Sequence, residues 1–246
     1  MRDKLKLIVL LGLLAAAAWW FGLRPTAEQN ALRVRELATR GLAEYLARRY
    51  PGERVLVISN PFVQRPGIAR EIVETEEAGV RGLRAGLAGG PALAAIAFPA
   101  LQPEALTDPR ALLGDIETTT PLTYLVAHDA FDQLVRQHPD CQLVVSLIGL
   151  PKALERCEAW QAGGSPRFAL LWPDLRPVGG PAAVAKAMHA GKLAAFVLRK
   201  PGAPSDAAAP GRDRAAEFGQ RFLLVTPENV DEVASKQPEL FPTPLQ

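Results

Sequence analysis

Two short stretches bring together residue types that could do chemistry. Ser59-Asn60-Pro61-Phe62-Val63-Gln64-Arg65 and Ser146-Leu147-Ile148-Gly149-Leu150-Pro151 each end an apolar run, and Asp174 and Arg199-Lys200 follow two more such runs. Hydroxyls, amides and cations at one rim could hold a small anionic ligand. The cations would supply charge and the neutral groups would supply directed hydrogen bonds. The ligand set read this way is Ser59, Asn60, Gln64, Arg65, Ser146, Gly149, Asp174, Arg199 and Lys200. A catalytic reading of the same rim would make Ser59 or Ser146 a nucleophile, with Arg199 and Lys200 holding an anion. The apolar members Phe62, Leu147, Ile148 and Leu150 would instead suit a protein partner.

No standard catalytic signature accompanies these residues. The turn after Ser59 has no glycine until Gly67, so it is not a dinucleotide-binding turn. Gly191-Lys192 runs into Leu193 and is not a phosphate-binding loop, and Gly163-Gly164-Ser165 runs into Pro166 and is not a nucleophile elbow. His128 and Asp132 stand one helical turn apart, with His138 and Asp140 beyond, but these scattered groups do not converge as a metal site requires. Asp132 is expected to pair with Arg136 on a solvated face, and Glu71, Glu74, Glu76 and Glu77 to form another solvated face. No metal and no cofactor are expected. Cys141 opens a strand and Cys157 lies in the helix returning from it, so their Cα atoms should stand beyond the roughly 7 Å limit for a disulfide. Two buried, unpaired thiols are expected.

The elements that would position these groups alternate. Thr26-x-x-Gln29 reads as a capping box for a helix to about Arg49, with Val34, Ala38, Leu42, Tyr45 and Leu46 on its apolar stripe. Strands are expected at 54–59, 92–98, 142–148, 167–172, 193–199 and 222–225. Between them, helices are expected near 68–87, in a short piece from Asp108-Pro109, and from Thr120-Pro121 to about Gln137. Others should run from Pro151 to Trp160, from Gly180 to Ala190, and from Thr226-Pro227 to about Lys236. Proline follows each strand within a few residues and marks its carboxyl end. The fold class is therefore α/β, a three-layer, doubly wound, mostly parallel sheet of about six strands. The long connection from the second strand to the third suggests the order 2-1-3-4-5-6, with the switch point between strands one and three. Ligands of such sheets bind beyond the carboxyl ends of the strands, which selects the loops described above. Residues 201–210 read as a flexible loop and 238–246 as an extended Pro-rich tail.

The alternation as a whole resembles one lobe of a type I periplasmic binding protein. That resemblance implies the α/β fold. Those receptors close two lobes around a ligand, whereas six strands in about 220 residues supply one lobe. This difference favours a partner-binding module over a solute-capturing receptor.

The N-terminus sets the location. Arg2, Lys4 and Lys6 precede an uncharged run from Leu7 to Leu23, ending in Trp19-Trp20-Phe21 and closed by Arg24-Pro25. Seventeen residues give about 25 Å of helix, the lower limit for spanning a bilayer. No polar region separates the apolar run from a cut after Ala17 or Ala18, so an uncleaved anchor is favoured over a signal peptide. The expected organisation is a cytoplasmic tail (1–6), a membrane anchor (7–23) and an extracytoplasmic domain (25–237), at the inner membrane in a single pass. Secretion after cleavage is the alternative. The formal net charge is +2. Setting aside Arg2, Lys4, Lys6 and Asp3 leaves the remaining chain electrically balanced, which argues against a nucleic-acid partner. Two cysteines are too few for a disulfide scaffold. The reading is a membrane-anchored, non-catalytic binding or assembly module with a protein partner. The alternative is a small-molecule-binding protein or enzyme using the strand-end rim.

Overall fold

The computed structural model describes residues 25–107, 122–161, 163 and 165–242. The predicted anchor, the Asp108-Pro109 helix, the start of the Thr120-Pro121 helix and the end of the tail lie outside these residues. Among the described residues no helix is long and apolar enough to cross a membrane.

Helix α1 (Ala27–Arg49) opens on the Thr26 capping box, with both reciprocal hydrogen bonds present. β1 (Arg54–Ile58), α2 (Arg70–Gly86) and β2 (Ala92–Ala97) follow. Next come a short α3 (Pro103–Thr107), α4 (Ala130–Gln137), β3 (Leu143–Ser146) and a single-turn α5 (Glu158–Gln161). The chain closes with β4 (Arg167–Leu171), α6 (Pro181–His189), β5 (Leu193–Arg199), α7 (Arg214–Arg221), β6 (Phe222–Val225) and α8 (Val230–Lys236). The six strands form one sheet in the order β2-β1-β3-β4-β5-β6, as expected. Alternate strand residues feed two apolar layers. Val55, Val57, Val145 and Val197 pack under α1 and α2, while Leu56, Ile58, Val144 and Phe196 pack under α4, α6 and α8.

The seam between α1 and α2 explains three glycines. A Cβ at Gly86 would stand 2.5 Å from the Arg40 carbonyl oxygen and 2.6 Å from the Ala43 Cβ, and one at Gly82 would strike Thr39 and the Glu36 carbonyl. With Gly79 they form a smooth stripe that lets the two backbones approach. Arg35 on α1 and Glu76 on α2 meet across this seam.

Several elements differ from the sequence reading. β6 pairs antiparallel with β5, with Arg199 opposite Phe222. The reason is α7, a helix the sequence reading left out, which keeps the connection at the carboxyl rim instead of carrying it down the sheet. Asp213 caps α7 by accepting from the amides of Ala215 and Ala216. The helix predicted from 121 begins only at Ala130, because residues 124–127 spend their backbone groups on the chain after β2. Leu101 bridges Val126, Ala127 N donates to Ala100 O, and the Gln102 side chain donates to the carbonyls of Tyr124 and Val126. The helix before Lys236 begins at Val230 and not at Thr226-Pro227, since Asn229 folds back onto Thr226 N and Leu224 O. In the tail, Pro238–Leu240 form one turn and Phe241 plugs the core against Phe196, where an extended segment was expected.

Residues 201–210 hold no helix or strand, and polar side chains tie them down. Arg221, almost fully buried beside Glu217, donates to the carbonyls of Pro204, Ser205 and Ala208. Asn30 Nδ2 donates to Ala207 O. The hydrogen bond from Arg221 holds the Glu217 carboxyl below its ordinary pKa. A carboxylate with a depressed folded pKa stabilises fully above its unfolded pKa of about 4.3, and the contribution is lost as pH falls through the lower folded value. Proteolysis within 201–210 should therefore be slow at neutral pH and accelerate at acid pH. Glu217→Gln should be cleaved faster at neutral pH and show a flatter pH dependence.

Asp132 also departs from expectation. It is buried and accepts from Cys157 Sγ (3.3 Å), Glu158 N (3.1 Å) and Ala159 N (2.8 Å), so it caps α5 instead of pairing with Arg136. This cap also shows why the predicted 151–160 helix is broken into short pieces. Arg136 turns to Glu158. Cys141 and Cys157 are both free and buried. Burial pushes the Cys157 thiol up to about 12 and raises Cys141 as well. Neither thiol should react with iodoacetamide at mildly alkaline pH while the chain is folded, and both should alkylate fully in urea, as read by intact mass.

Candidate site at the carboxyl rim of the sheet

β1, β3 and β4 end at one rim, and α1 and α2 bring Arg35 and Glu76 to it. A cleft of about 410 Å³ opens there, with Arg35 and Glu76 at its floor. Leu147, Ile148 and Leu122 give it an apolar wall, and Trp172, Pro173, Asp174 and Arg176 form the other side. Arg35 Nη2 donates to Glu76 Oε1 at 2.5 Å, and Ser59 Oγ donates to Glu76 Oε2 at 2.7 Å. Burial lowers the Arg35 pKa and the Glu76 carboxylate opposes that shift. Arg35 Nε is buried without a hydrogen-bond partner among the described residues. Gly79 makes room for it, since a Cβ there would lie 3.2 Å from that nitrogen.

Trp172 stands at the turn after β4 with φ +45°, a left-handed conformation that a bulky side chain seldom adopts. Its ring lies under two guanidiniums, Arg199 at 4.2 Å and Arg35 at 5.6 Å. Its Nε1 is buried, again with no partner among the described residues. Asp174 accepts three bonds from the Arg176 guanidinium, at 2.7, 2.9 and 3.0 Å, and one from the Arg176 amide. The cleft thus carries two matched ion pairs, Arg35–Glu76 and Arg176–Asp174. Arg199, behind the indole, is matched in turn by Asp206 at 2.5 and 2.6 Å. Such an arrangement offers directed donors and acceptors with no excess charge.

Of the residues singled out from sequence, Asp174, Leu147 and Ile148 line this cleft, and Ser59 and Arg199 support it from behind. Ser146 is spent inside its own turn, donating to Gly149 O at 2.6 Å where Gly149 has φ +91°. Asn60 caps the Pro61–Gln64 turn by accepting from Phe62 N. Gln64 and Ser59 line an adjoining depression of about 480 Å³ between α2 and β2 that shares Glu76 with the cleft, and Arg65 is exposed outside the cleft. Lys200 donates to Gly219 O. The nine residues do not converge on one anion site. Ser59 Oγ donates to the Glu76 carboxylate that Arg35 also holds, and Ser146 Oγ donates to a carbonyl. The apolar patch expected for a partner is also absent as a surface, because Leu147 and Leu150 are buried in opposite core layers and Phe62 is half-buried. Among the described residues no three His, Cys, Asp or Glu side chains are placed to hold a metal.

Arg35, Glu76, Trp172 and Arg176 were missed from sequence. The signal for Glu76 was present: Glu76, Val80, Leu83 and Leu87 follow i, i+4, i+7, i+11 spacing, which puts the carboxylate on the apolar face. Arg35 likewise sits beside Val34 and Ala38 on the buried stripe of α1. A charge on an apolar stripe asks for a buried partner.

No family model and no curated protein matches the chain. Among solved structures it is similar to the substrate-binding protein of a sugar ABC transport system from Bordetella parapertussis 12822, at 14% identity over 86% of this chain and 61% of that one, with a TM-score of 0.48. It is also similar to a galactofuranose binding protein, at 11% identity over 84% of this chain and 63% of that one, with a TM-score of 0.45. A third similarity is to the Caulobacter myo-inositol binding protein, at 19% identity over 80% of this chain and 60% of that one, with a TM-score of 0.41. The chain spans about three-fifths of the length of these proteins.

Proposed function

We propose that the domain is a non-catalytic binding module, held outside the membrane by residues 7–23, whose rim cleft takes a small, uncharged, hydroxylated molecule. The observation that supports this most is the pairing of Arg35–Glu76 with Arg176–Asp174 around Trp172. Each pair presents fixed donors and acceptors, and their charges cancel, so a neutral polar ligand meets complementary groups without an unpaired charge. Ile148, Leu122 and Pro173 supply an apolar wall for its C–H face. The volume falls in the range of small-ligand pockets. The left-handed Trp172 and its buried indole N–H fit the same reading, since strain of this kind gathers at binding sites.

A thermal-shift screen of the full chain in detergent tests this, with panels of neutral polyols and of small carboxylates. A neutral hydroxylated compound should raise Tm in a saturable way, and Arg176→Gln should abolish the shift while leaving the unliganded Tm within a degree or two, as expected for a side chain about one-third exposed. A carboxylate that raises Tm as strongly, or an Arg176→Gln variant that keeps the full shift, would contradict the proposal.

A further inference from the structure

A second concave surface lies along the outer side of α1 and shares no lining residue with the rim cleft. A groove of about 630 Å³ runs between α1 and α7 and adjoins another of about 400 Å³ beside Gly211. Arg33, Leu37, Arg40, Glu44 and Arg48 follow one face of α1, so the stripe is about 22 Å long at roughly 1.5 Å per residue. Arg212 and Arg214 face it from the other bank, and Leu37, Phe218 and Leu224 make an apolar floor.

The ion-pair arithmetic of the groove is one-sided. Its three acids are already committed: Glu44 to Arg40 at 2.9 Å, Glu36 to Arg81 at 3.5 Å, and Asp213 to the first amides of α7. Arg33, Arg48, Arg212 and Arg214 make no ion pair with any described residue. Four guanidiniums without an ionic partner among the described residues therefore rim an apolar trough, on a domain whose charges balance only when these four are counted. Charge complementarity calls for carboxylates, and the floor calls for apolar side chains between them. The recess favours a narrow segment that can enter it over a flat bilayer surface that cannot.

We propose that the α1–α7 groove docks an acidic amphipathic helix of a partner protein, with its carboxylates against the four arginines and its apolar edge on Leu37, Phe218 and Leu224. The proposal is independent of the rim cleft. The test uses the full chain in detergent and a fluorescent, helical peptide of about 16 residues with Glu and Leu on one face, matched to the stripe length. A second peptide carries Gln in place of each Glu. Binding of the Glu peptide should exceed that of the Gln peptide by about tenfold and weaken about tenfold in Arg48→Gln/Arg214→Gln. It should stay within about twofold in Arg65→Gln/Arg84→Gln, which removes the same charge elsewhere. Equal losses in the two double variants, or no preference for the Glu peptide, would overturn the proposal. So would displacement of the peptide by short-chain phosphatidylglycerol at equal charge, which would make the groove a lipid site.

Discussion

Gly82→Ala is expected to lower the unfolding free energy by about 2 kcal/mol, although alanine is the better helix former by about 1 kcal/mol. The added Cβ would strike the Thr39 side chain and the Glu36 carbonyl. Glu36 O is backbone and cannot rotate away, so α1 and α2 must separate. Separation opens the layer that holds Leu42, Leu46, Leu83 and Leu87, all buried. A matched control lies in α7. Gly219 has nothing within 4 Å of a built Cβ, so Gly219→Ala should gain up to about 1 kcal/mol from reduced freedom of the unfolded chain and better helix propensity. Urea unfolding followed by far-UV circular dichroism would read both. Opposite signs for the two substitutions are the prediction, and a neutral Gly82→Ala would show that the seam has slack.

The second large effect belongs to the ion pair beneath the cleft. Glu76→Ala should cost about 3–5 kcal/mol, because it leaves a buried guanidinium without its carboxylate. Ser59 Oγ loses its acceptor in the same step. Arg35→Met/Glu76→Leu should recover most of that loss, since a buried ion pair often contributes little beyond an apolar pair of similar volume. The comparison separates stability from function. If the pair is kept to present donors and acceptors to a ligand, the apolar double variant should fold well and bind nothing. Unfolding free energies of Arg35→Met, of Glu76→Leu and of the double variant, each against the parent chain, form the cycle that measures the coupling.

The fold was largely legible because its signals are local and redundant. Six apolar runs, each closed by proline, located six strands, and the long connection before β3 suggested the strand order. The orientation of β6 was not legible in the same way. Its direction depends on α7, a polar helix whose one strong mark is Asp213, and on the burial of Arg221 among loop carbonyls. The late start of α4 was hidden for a similar reason, since Val126 is claimed by a residue 25 positions away.

The site was legible only in outline. The switch-point rule led to the rim where the cleft opens, and Asp174, Leu147 and Ile148 line that cleft. Ser146 and Asn60 misled because short polar side chains at strand ends commonly build the turn they sit in. Arg35 and Glu76 were overlooked because charged residues on helices are usually solvated. Their place on the apolar stripes, beside Val34 and Ala38 on α1 and in line with Val80 and Leu83 on α2, is the local mark of their burial.

Trp172, with its buried indole N–H, lines the cleft that we propose binds a neutral hydroxylated molecule. The most direct measurement is the indole N–H resonance of Trp172 in the ¹⁵N-labelled full chain, assigned through Trp172→Phe and titrated with the polyol and carboxylate panels. A neutral polyol should shift the Trp172 resonance in a saturable manner while that of Trp160, packed on Phe168 in the opposite layer, stays fixed. A Trp172 resonance that no neutral member moves, or that moves only with carboxylates, would contradict that proposal.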